Sequence, residues 1–396
     1  MYGAQLIDAL RRRSSGQAST ELRSAGQLGA AVPTPSMQLE FFGVGGERMR
    51  AAGCETVVDA KDLSVVGITE ILSHLPKIWG LFHKLIAEAG RRQPDLAIVI
   101  DSPAFNWRVA RQMRKRGVPV VYYVCPQFWA WRQGRVRLLR KYVTKALVIF
   151  PFEEKFYRDR GVDASFVGHP LADLPCPAVD RAAYAAQHML DPAKTWITIM
   201  PGSRVKEVRM NLPEILNATT RLGPGYEFLL PVAPTLDRTF LQRFIGEREI
   251  HLVDEALPAM SQSRAGIIAS GTATVEAAVM GLPFVMVYRV SPLTYALGRP
   301  RVKVRHFAMA NLIAGEEVVP ELVQDRFTAE NVVNELQKII PEGLDRARMI
   351  QKLAEVKFRL RGETSDDLHP ADRAAKEVFA LLPHARAGTP APTSEG

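Results

Sequence analysis

Cysteine is scarce in these 396 residues: Cys54, Cys125 and Cys176 are too few and too far apart for a disulfide framework or a zinc cluster. That usage fits a reducing, cytoplasmic setting. Long apolar runs are lacking as well. The most apolar uncharged run, 118–131, falls short of the roughly 18 residues of a membrane span and contains Pro119 and Pro126. The first ten residues lead into Arg11, Arg12 and Arg13 with no apolar stretch beyond, so no secretory signal is read there. Several chemistries lack their residues. There is no Asp-x-Asp for metal-dependent sugar transfer and no Gly-x-x-x-x-Gly-Lys-Ser/Thr phosphate loop, and Gly43-Val44-Gly45-Gly46 lacks the third glycine of a dinucleotide fingerprint. The eight histidines are scattered without paired ligand spacing, so neither a metal nor another cofactor is expected.

Acidic residues are outnumbered 51 to 42, and the net charge of +9 favours phosphates, nucleic acid or an anionic membrane surface without choosing among them. From residue 95 onward, short β-branched runs alternate with longer amphipathic ones. Strands are expected at 96–100, 118–124, 146–150 and 165–168, then at 196–200, 227–231, 250–253, 266–269 and 284–288. Helical stretches such as 107–116, 207–219 and 274–280 lie between them. Continuous apolar strands separated by helices indicate parallel sheets covered on both faces. The Pro-, Asp- and Ala-rich stretch 174–191 divides them into two doubly wound α/β domains facing a cleft. The expected division is 1–175, 176–345, helices over 346–382 and a flexible tail at 383–396, with 14–36 a loop insertion. A helix over 5–12 opens the chain with no strand ahead of it, so the first strand of the first domain is missing from the usual order.

In such sheets, ligands sit at the carboxyl ends of the strands. Pro201-Gly202-Ser203-Arg204 follows one strand and opens a helix, placing the Gly202 and Ser203 amides and the planar cation of Arg204 where an anion binds; an ordinary turn with a surface arginine is the plain alternative. Ser270-Gly271-Thr272-Ala273-Thr274-Val275-Glu276 repeats the arrangement, with Glu276 one turn into the helix and able to accept from ribose hydroxyls; helix capping is its plain alternative. Two such turns backed by a carboxylate point to a nucleotide. Asp101 follows the strand 96–100 and is the candidate base for an acceptor hydroxyl, or else a helix cap. Trp129, Trp131 and Arg132 lead into Arg135, Arg137, Arg140 and Lys141. Aromatics beside cations suit a phosphate-bearing amphiphile, a membrane surface or single-stranded nucleic acid. The stretch 63–86 carries more apolar residues than one stripe needs, among them Val66, Leu72 and Trp79, so it is buried on several sides or partly exposed to lipid. His169, in Gly168-His169-Pro170, also follows a strand.

These segments together resemble one family, lipid-A-disaccharide synthase, from about residue 42 to 324. The resemblance is carried by Phe42-Gly43-Val44-Gly45-Gly46-Glu47-Arg48-Met49, Leu63-Ser64-Val65-Val66-Gly67, Ile100-Asp101-Ser102-Pro103, Pro126-Gln127-Phe128-Trp129-Ala130-Trp131-Arg132, Gly168-His169-Pro170 and the two turns above. Tyr288-Arg289, Asn311-Leu312-Ile313-Ala314-Gly315 and Pro320-Glu321-Leu322 complete it. The resemblance implies a GT-B-type fold and a metal-free, inverting transfer from UDP-2,3-diacylglucosamine to 2,3-diacylglucosamine 1-phosphate, giving a β-1,6-linked disaccharide and UDP. It implies a cytoplasmic enzyme, peripheral on the inner membrane, with no nucleic-acid partner, and leaves room for a homodimer. By motif, Asp101, Arg204 and Asn311 would be catalytic. Gly202, Ser203, Ser270, Gly271, Thr272, Thr274, Glu276, Tyr288 and Arg289 would hold the nucleotide-sugar. Val66, Leu72, Trp79, Trp129, Trp131, Arg132 and His169 would face acceptor or membrane. Two departures stand out: Ala104 where the family carries a second aspartate, and no strand with a Ser-Gly-Glu-x-Ser-Gly-Asp turn ahead of the first helix. Rival readings are another UDP-N-acetylglucosamine enzyme of the same fold, a peptidoglycan-precursor transferase or a 2-epimerase, and a catalytically silent membrane-surface binding protein.

Overall fold

The computed structural model describes residues 2–15, 38–63, 68–299, 304–362 and 368–382, without the side chains of 68–75, 293 and 297. The expected loop 14–36, beyond Ser15, and the tail 383–396 lie outside them. The chain forms two compact units, one of residues 1–128, 133–170 and 364–396, the other of 129–132 and 171–363. The division therefore falls after Pro170 rather than at 175, and 346–382 is no separate block. The helix Leu344–Arg361 belongs to the second unit, where buried Arg346 donates to the carbonyls of Arg264 and Ile339, both at 2.8 Å. The helix Pro370–Phe379 belongs to the first, where Asp372 pairs with Arg12 of the helix Tyr2–Ser14 at 2.8 Å. Among the described residues, no helix is long and apolar enough to cross a membrane.

Unit 1 contains β1 (Phe41–Gly45), β2 (Cys54–Asp59), β3 (Ala97–Ile100), β4 (Val120–Tyr123), β5 (Lys145–Val148) and β6 (Ala164–Phe166). All pairings are parallel, in keeping with a β-branched and aromatic sequence such as Val120-Val121-Tyr122-Tyr123, buried at every position. β3 to β6 form one sheet in chain order, and β1 pairs with β2 in a sheet of its own. The Ala97 amide donates to Pro119 O (3.0 Å) and the Asp101 amide to Tyr123 O (3.1 Å). With a period of two, the Ile98 and Ile100 amides face away from β4. A cavity of about 670 Å³ lies there, lined by Ile98 and Ile100 of β3, Phe41 and Phe42 of β1, and Leu6 and Leu10 of the first helix. β1 and β2 thus stand apart from the sheet that leads to Asp101.

Unit 2 contains β7 (Thr195–Met200), β8 (Tyr226–Pro231), β9 (Ile250–Val253), β10 (Ala265–Ala269), β11 (Phe284–Tyr288) and β12 (Glu321–Val323), all parallel, in the order β12-β11-β10-β7-β8-β9. This is the doubly wound order, in which the chain reverses direction between β7 and β10. Trp196 anchors one face: fully buried, it donates from Nε1 to Asp191 O (2.9 Å) and carries the Arg181 guanidinium 3.6 Å above its ring.

Candidate functional site

The reversal between β7 and β10 is where an open α/β sheet opens a crevice at its carboxyl edge. Ile268 lies opposite Met200, so the turns 201–204 and 270–271 leave the sheet side by side. In the first, Gly202 has φ +121°, a conformation that favours glycine, and a Cβ there would meet Glu207 Cβ at 2.6 Å. The Ser203 and Arg204 amides donate to Glu207 Oε2 at 2.9 and 3.3 Å, and Arg204 Nη1 donates to Oε1 at 2.7 Å. The first turn thus differs from the expected open anion cradle: a carboxylate of its own helix, Val205–Leu222, already holds the Ser203 amide. The cause is local, since Glu207 stands at the third helical position, where a glutamate reaches back to the cap amides. Arg204 remains largely exposed.

The second turn is the open one. The helix Thr272–Met280 begins at Gly271 (φ +144°) with no side-chain cap, and Gly271 and Thr272 are exposed. Its first amides carry no side-chain cap and stand at the positive end of the helix dipole. Ser270 Oγ donates to Phe307 O (3.0 Å), and buried Thr274 donates to Gly271 O (2.7 Å), so both hydroxyls shape the turn. Burial pushes the Glu276 carboxyl up. Tyr288, at the end of β11, has its phenol pushed up by burial first and by the Glu207 charge second. Arg289 turns aside: its guanidinium lies 4.8 Å from the Phe327 ring centroid and 3.6 Å from Glu214.

Asn211 went unread in the sequence. Fully buried, it donates to Pro201 O (3.0 Å) and accepts from the Arg289 amide (2.9 Å), tying the turn after β7 to the end of β11 across 78 residues. Asn311 is also wholly buried and fully engaged. It donates to Val319 O (2.8 Å) and Glu321 Oε1 (2.9 Å), and accepts from the Val318 and Val319 amides (2.8 and 2.9 Å). An amide with both hydrogens and both lone pairs committed in this way has nothing left for a substrate, so its place differs from that of a catalytic contact.

In unit 1, Asp101 follows β3 with an exposed side chain, and its backbone and that of Ser102 are left-handed, at φ +48° and +40°. Two consecutive non-glycine residues there are costly and persist only when held. Asn106 donates to Ile100 O (2.9 Å) and Asp101 O (2.6 Å), and Tyr122 Oη donates to Asp101 O (2.7 Å). The helix Pro103–Lys115 is capped at Ser102 without a side-chain bond, so Asp101 does not cap it. Trp79 is 53% exposed and stacked on Phe82. Val66, and the side chain of Leu72, lie outside the described residues. Trp131, in the segment grouped with unit 2, is 45% exposed under Arg132, whose guanidinium is 4.3 Å from the ring centroid. Trp129 and His169 are buried, which removes both from an exposed acceptor or membrane face. No cluster of three or more metal-ligating side chains occurs among the described residues.

Two Rossmann-like α/β units, the second carrying paired strand-to-helix turns at its reversal point, define a protein of the GT-B class. The calicheamicin glycosyltransferase CalG4 shares the fold at a TM-score of 0.58 and 16% identity, over 98% of this chain and 95% of its own. The UDP-GlcNAc 2-epimerase from Neisseria meningitidis bound to UDP-GlcNAc does so at 0.53 and 14%, over 87% and 99%. The family model described as lipid-A-disaccharide synthetase matches residues 13–378. The lipid-A-disaccharide synthase of Koribacter versatilis (strain Ellin345) is 51% identical over 386 residues, 96% of this chain and 95% of its own. That of Myxococcus xanthus (strain DK1622) is 42% identical over 379 residues, 94% and 97%. The chain belongs to the lipid-A-disaccharide synthetase family.

His169 gives a pH test of the site's packing. Burial pushes its imidazole down to about 4, so between about pH 6.5 and 4 the unfolded chain takes up a proton that the folded one refuses. Stability is therefore full above 6.5 and lost as pH falls, by about 2 kcal/mol between pH 7 and 5. Urea unfolding at the two pH values is expected to show that extra loss in the parent and not in His169→Gln. Equal losses would contradict the assignment.

Proposed function

We propose that the chain joins UDP-2,3-diacylglucosamine to 2,3-diacylglucosamine 1-phosphate, releasing UDP and a β-1,6-linked disaccharide 1-phosphate. The observation that carries the donor half is the uncapped start of the helix Thr272–Met280 beside the turn of Arg204, at the reversal point of unit 2. The diphosphate meets the exposed Gly271 and Thr272 amides, and the exposed cation of Arg204 joins it by leaving Glu207. Glu276, its carboxyl raised by burial, serves the ribose hydroxyls. The acceptor's 6-hydroxyl attacks the donor's anomeric carbon as the bond from that carbon to the diphosphate oxygen breaks. The hydroxyl proton passes to Asp101, the exposed carboxylate set on a strained backbone that Asn106 and Tyr122 hold. Charge gathering on the leaving UDP is met by the helix terminus and Arg204.

Replacing Asp101 with Asn keeps the shape and removes the base. Turnover in Asp101→Asn is expected to fall by about a hundredfold or more, with UDP affinity changed by less than about threefold. A variant that retains parental kcat, with folding intact, would remove Asp101 from the reaction.

On this reading, with diacylated substrates, the protein works peripherally on the cytoplasmic face of the inner membrane. This reading is supported by exposed Trp79 in unit 1 and by the exposed cations Arg135, Arg137 and Arg140. Each cation adds about 1 kcal/mol near an anionic surface, an attraction that falls as salt rises. Flotation with phosphatidylglycerol-containing liposomes is expected to weaken in Trp79→Ser and in Arg135→Ser/Arg137→Ser, and to weaken further with added salt. Undiminished flotation of both folded variants would put the contact surface elsewhere.

A further inference from the structure

We propose that Glu321 is a positioning residue for donor binding, acting with Asn311 through residue 307 on Ser270. The proposal rests on the reading of the 270–272 turn as the donor site. Glu321 lies on β12, paired with Met286 of β11 at the edge of unit 2's sheet. Its largely buried carboxylate accepts from three donors: the Phe307 amide at 3.0 Å to both oxygens, and the Ala308 amide and Asn311 Nδ2 at 2.9 Å to Oε1. His306 Nδ1 is 3.7 Å away. Residue 307 is thereby held by its amide, and its carbonyl in turn accepts from Ser270 Oγ at 3.0 Å. The Ser270 amide donates to Val287 O at 3.0 Å, so the residue that opens the donor turn is fixed at two points, one on the sheet and one on this brace.

The arrangement explains how two side chains that present nothing to a ligand serve one. Asn311 closes the loop between residues 311 and 319 on itself, and its remaining hydrogen reaches Glu321. Glu321 passes that order to the 307–308 peptide, and Phe307 O passes it to Ser270. The set of the Gly271 and Thr272 amides depends on Ser270, so a loose brace costs donor affinity before it costs chemistry.

UDP is the probe, and calorimetric titration the measurement. Glu321→Ala removes the acceptor of three buried donors and is expected to weaken UDP binding about tenfold. Glu321→Gln keeps an oxygen at the Oε1 position and should restore affinity to within about threefold of the parent. Ser270→Ala should weaken UDP like Glu321→Ala, and the double variant should be no worse than the weaker single, because both cut one chain of contacts. In turnover the donor KM should rise with kcat held within about threefold. Unchanged UDP affinity in Ser270→Ala, strictly additive losses, or equal effects of the Ala and Gln variants at position 321 would overturn the brace. Should Glu321→Ala not fold, the Ser270→Ala and Glu321→Gln results decide. A parent that binds no UDP would reject the donor-site reading itself. The brace is then judged by amide exchange at Phe307 and Ala308, which must quicken in Glu321→Ala or Ser270→Ala for it to stand.

Discussion

The pairing of β7 with β10 sets the rest of unit 2. With Ala265 opposite Ile197 and Ile268 opposite Met200, both strands end at one level, and the chain must leave the sheet there in two turns that open two helices. Everything assigned to the donor follows from this adjacency: the glycine at 202 that lets the chain pass Glu207, the glycine at 271 where a helix begins uncapped, and the arginine paired with Glu207. The buried polar residues nearby are fixtures of the same edge. Asn211 ties the first turn to the end of β11, and the Glu321–Asn311 network ties the second to residue 307. Buried amides and carboxylates are tolerated when they are hydrogen-bonded, and here all of these bonds but the one between Asn311 and Glu321 end on backbone groups.

Unit 1 stores its constraint in the backbone. Two successive left-handed residues, Asp101 and Ser102, are kept by a buried asparagine and a tyrosine hydroxyl that both bond the carbonyl of residue 101. The result lifts a carboxylate out of the end of a half-buried strand into solvent. The same strand's outer edge faces a cavity shared with β1, so the segment bearing Asp101 is supported on one side by a full sheet and on the other by side chains.

Much of this fold is legible from residues alone. Nine strands between residues 96 and 288 lie within about two residues of where short apolar runs put them, because strands of a sheet covered on both faces are apolar over most of their length. β1, β2 and β12 are harder to read: β1 contains Gly43, β2 carries Glu55 and Asp59, and β12 has three residues. The two phosphate-type turns are visible as glycines between a strand and a helix, and only the position of Glu207 distinguishes the closed one from the open one. Glu207 could have been read as a cap from its spacing to Arg204, and with it the closure of the first turn. Asn211 and Glu321 carry no local signal, since their partners lie 78 and 14 residues away and a buried network is assembled only by the sheet. The burial of Trp129 and His169 is likewise a tertiary outcome that an aromatic or a histidine next to a strand does not announce.

The transfer of a diacylated sugar between two lipid-bearing partners is tested most directly by following both products in one reaction. The protein is incubated with UDP-2,3-diacylglucosamine and 2,3-diacylglucosamine 1-phosphate, UDP is counted, and the lipid products are weighed by mass spectrometry. The expected result is one disaccharide 1-phosphate for each UDP released, and no UDP when the acceptor is left out. UDP released without a disaccharide would show hydrolysis of the donor instead, and the absence of both products would contradict the assignment of transfer to this chain.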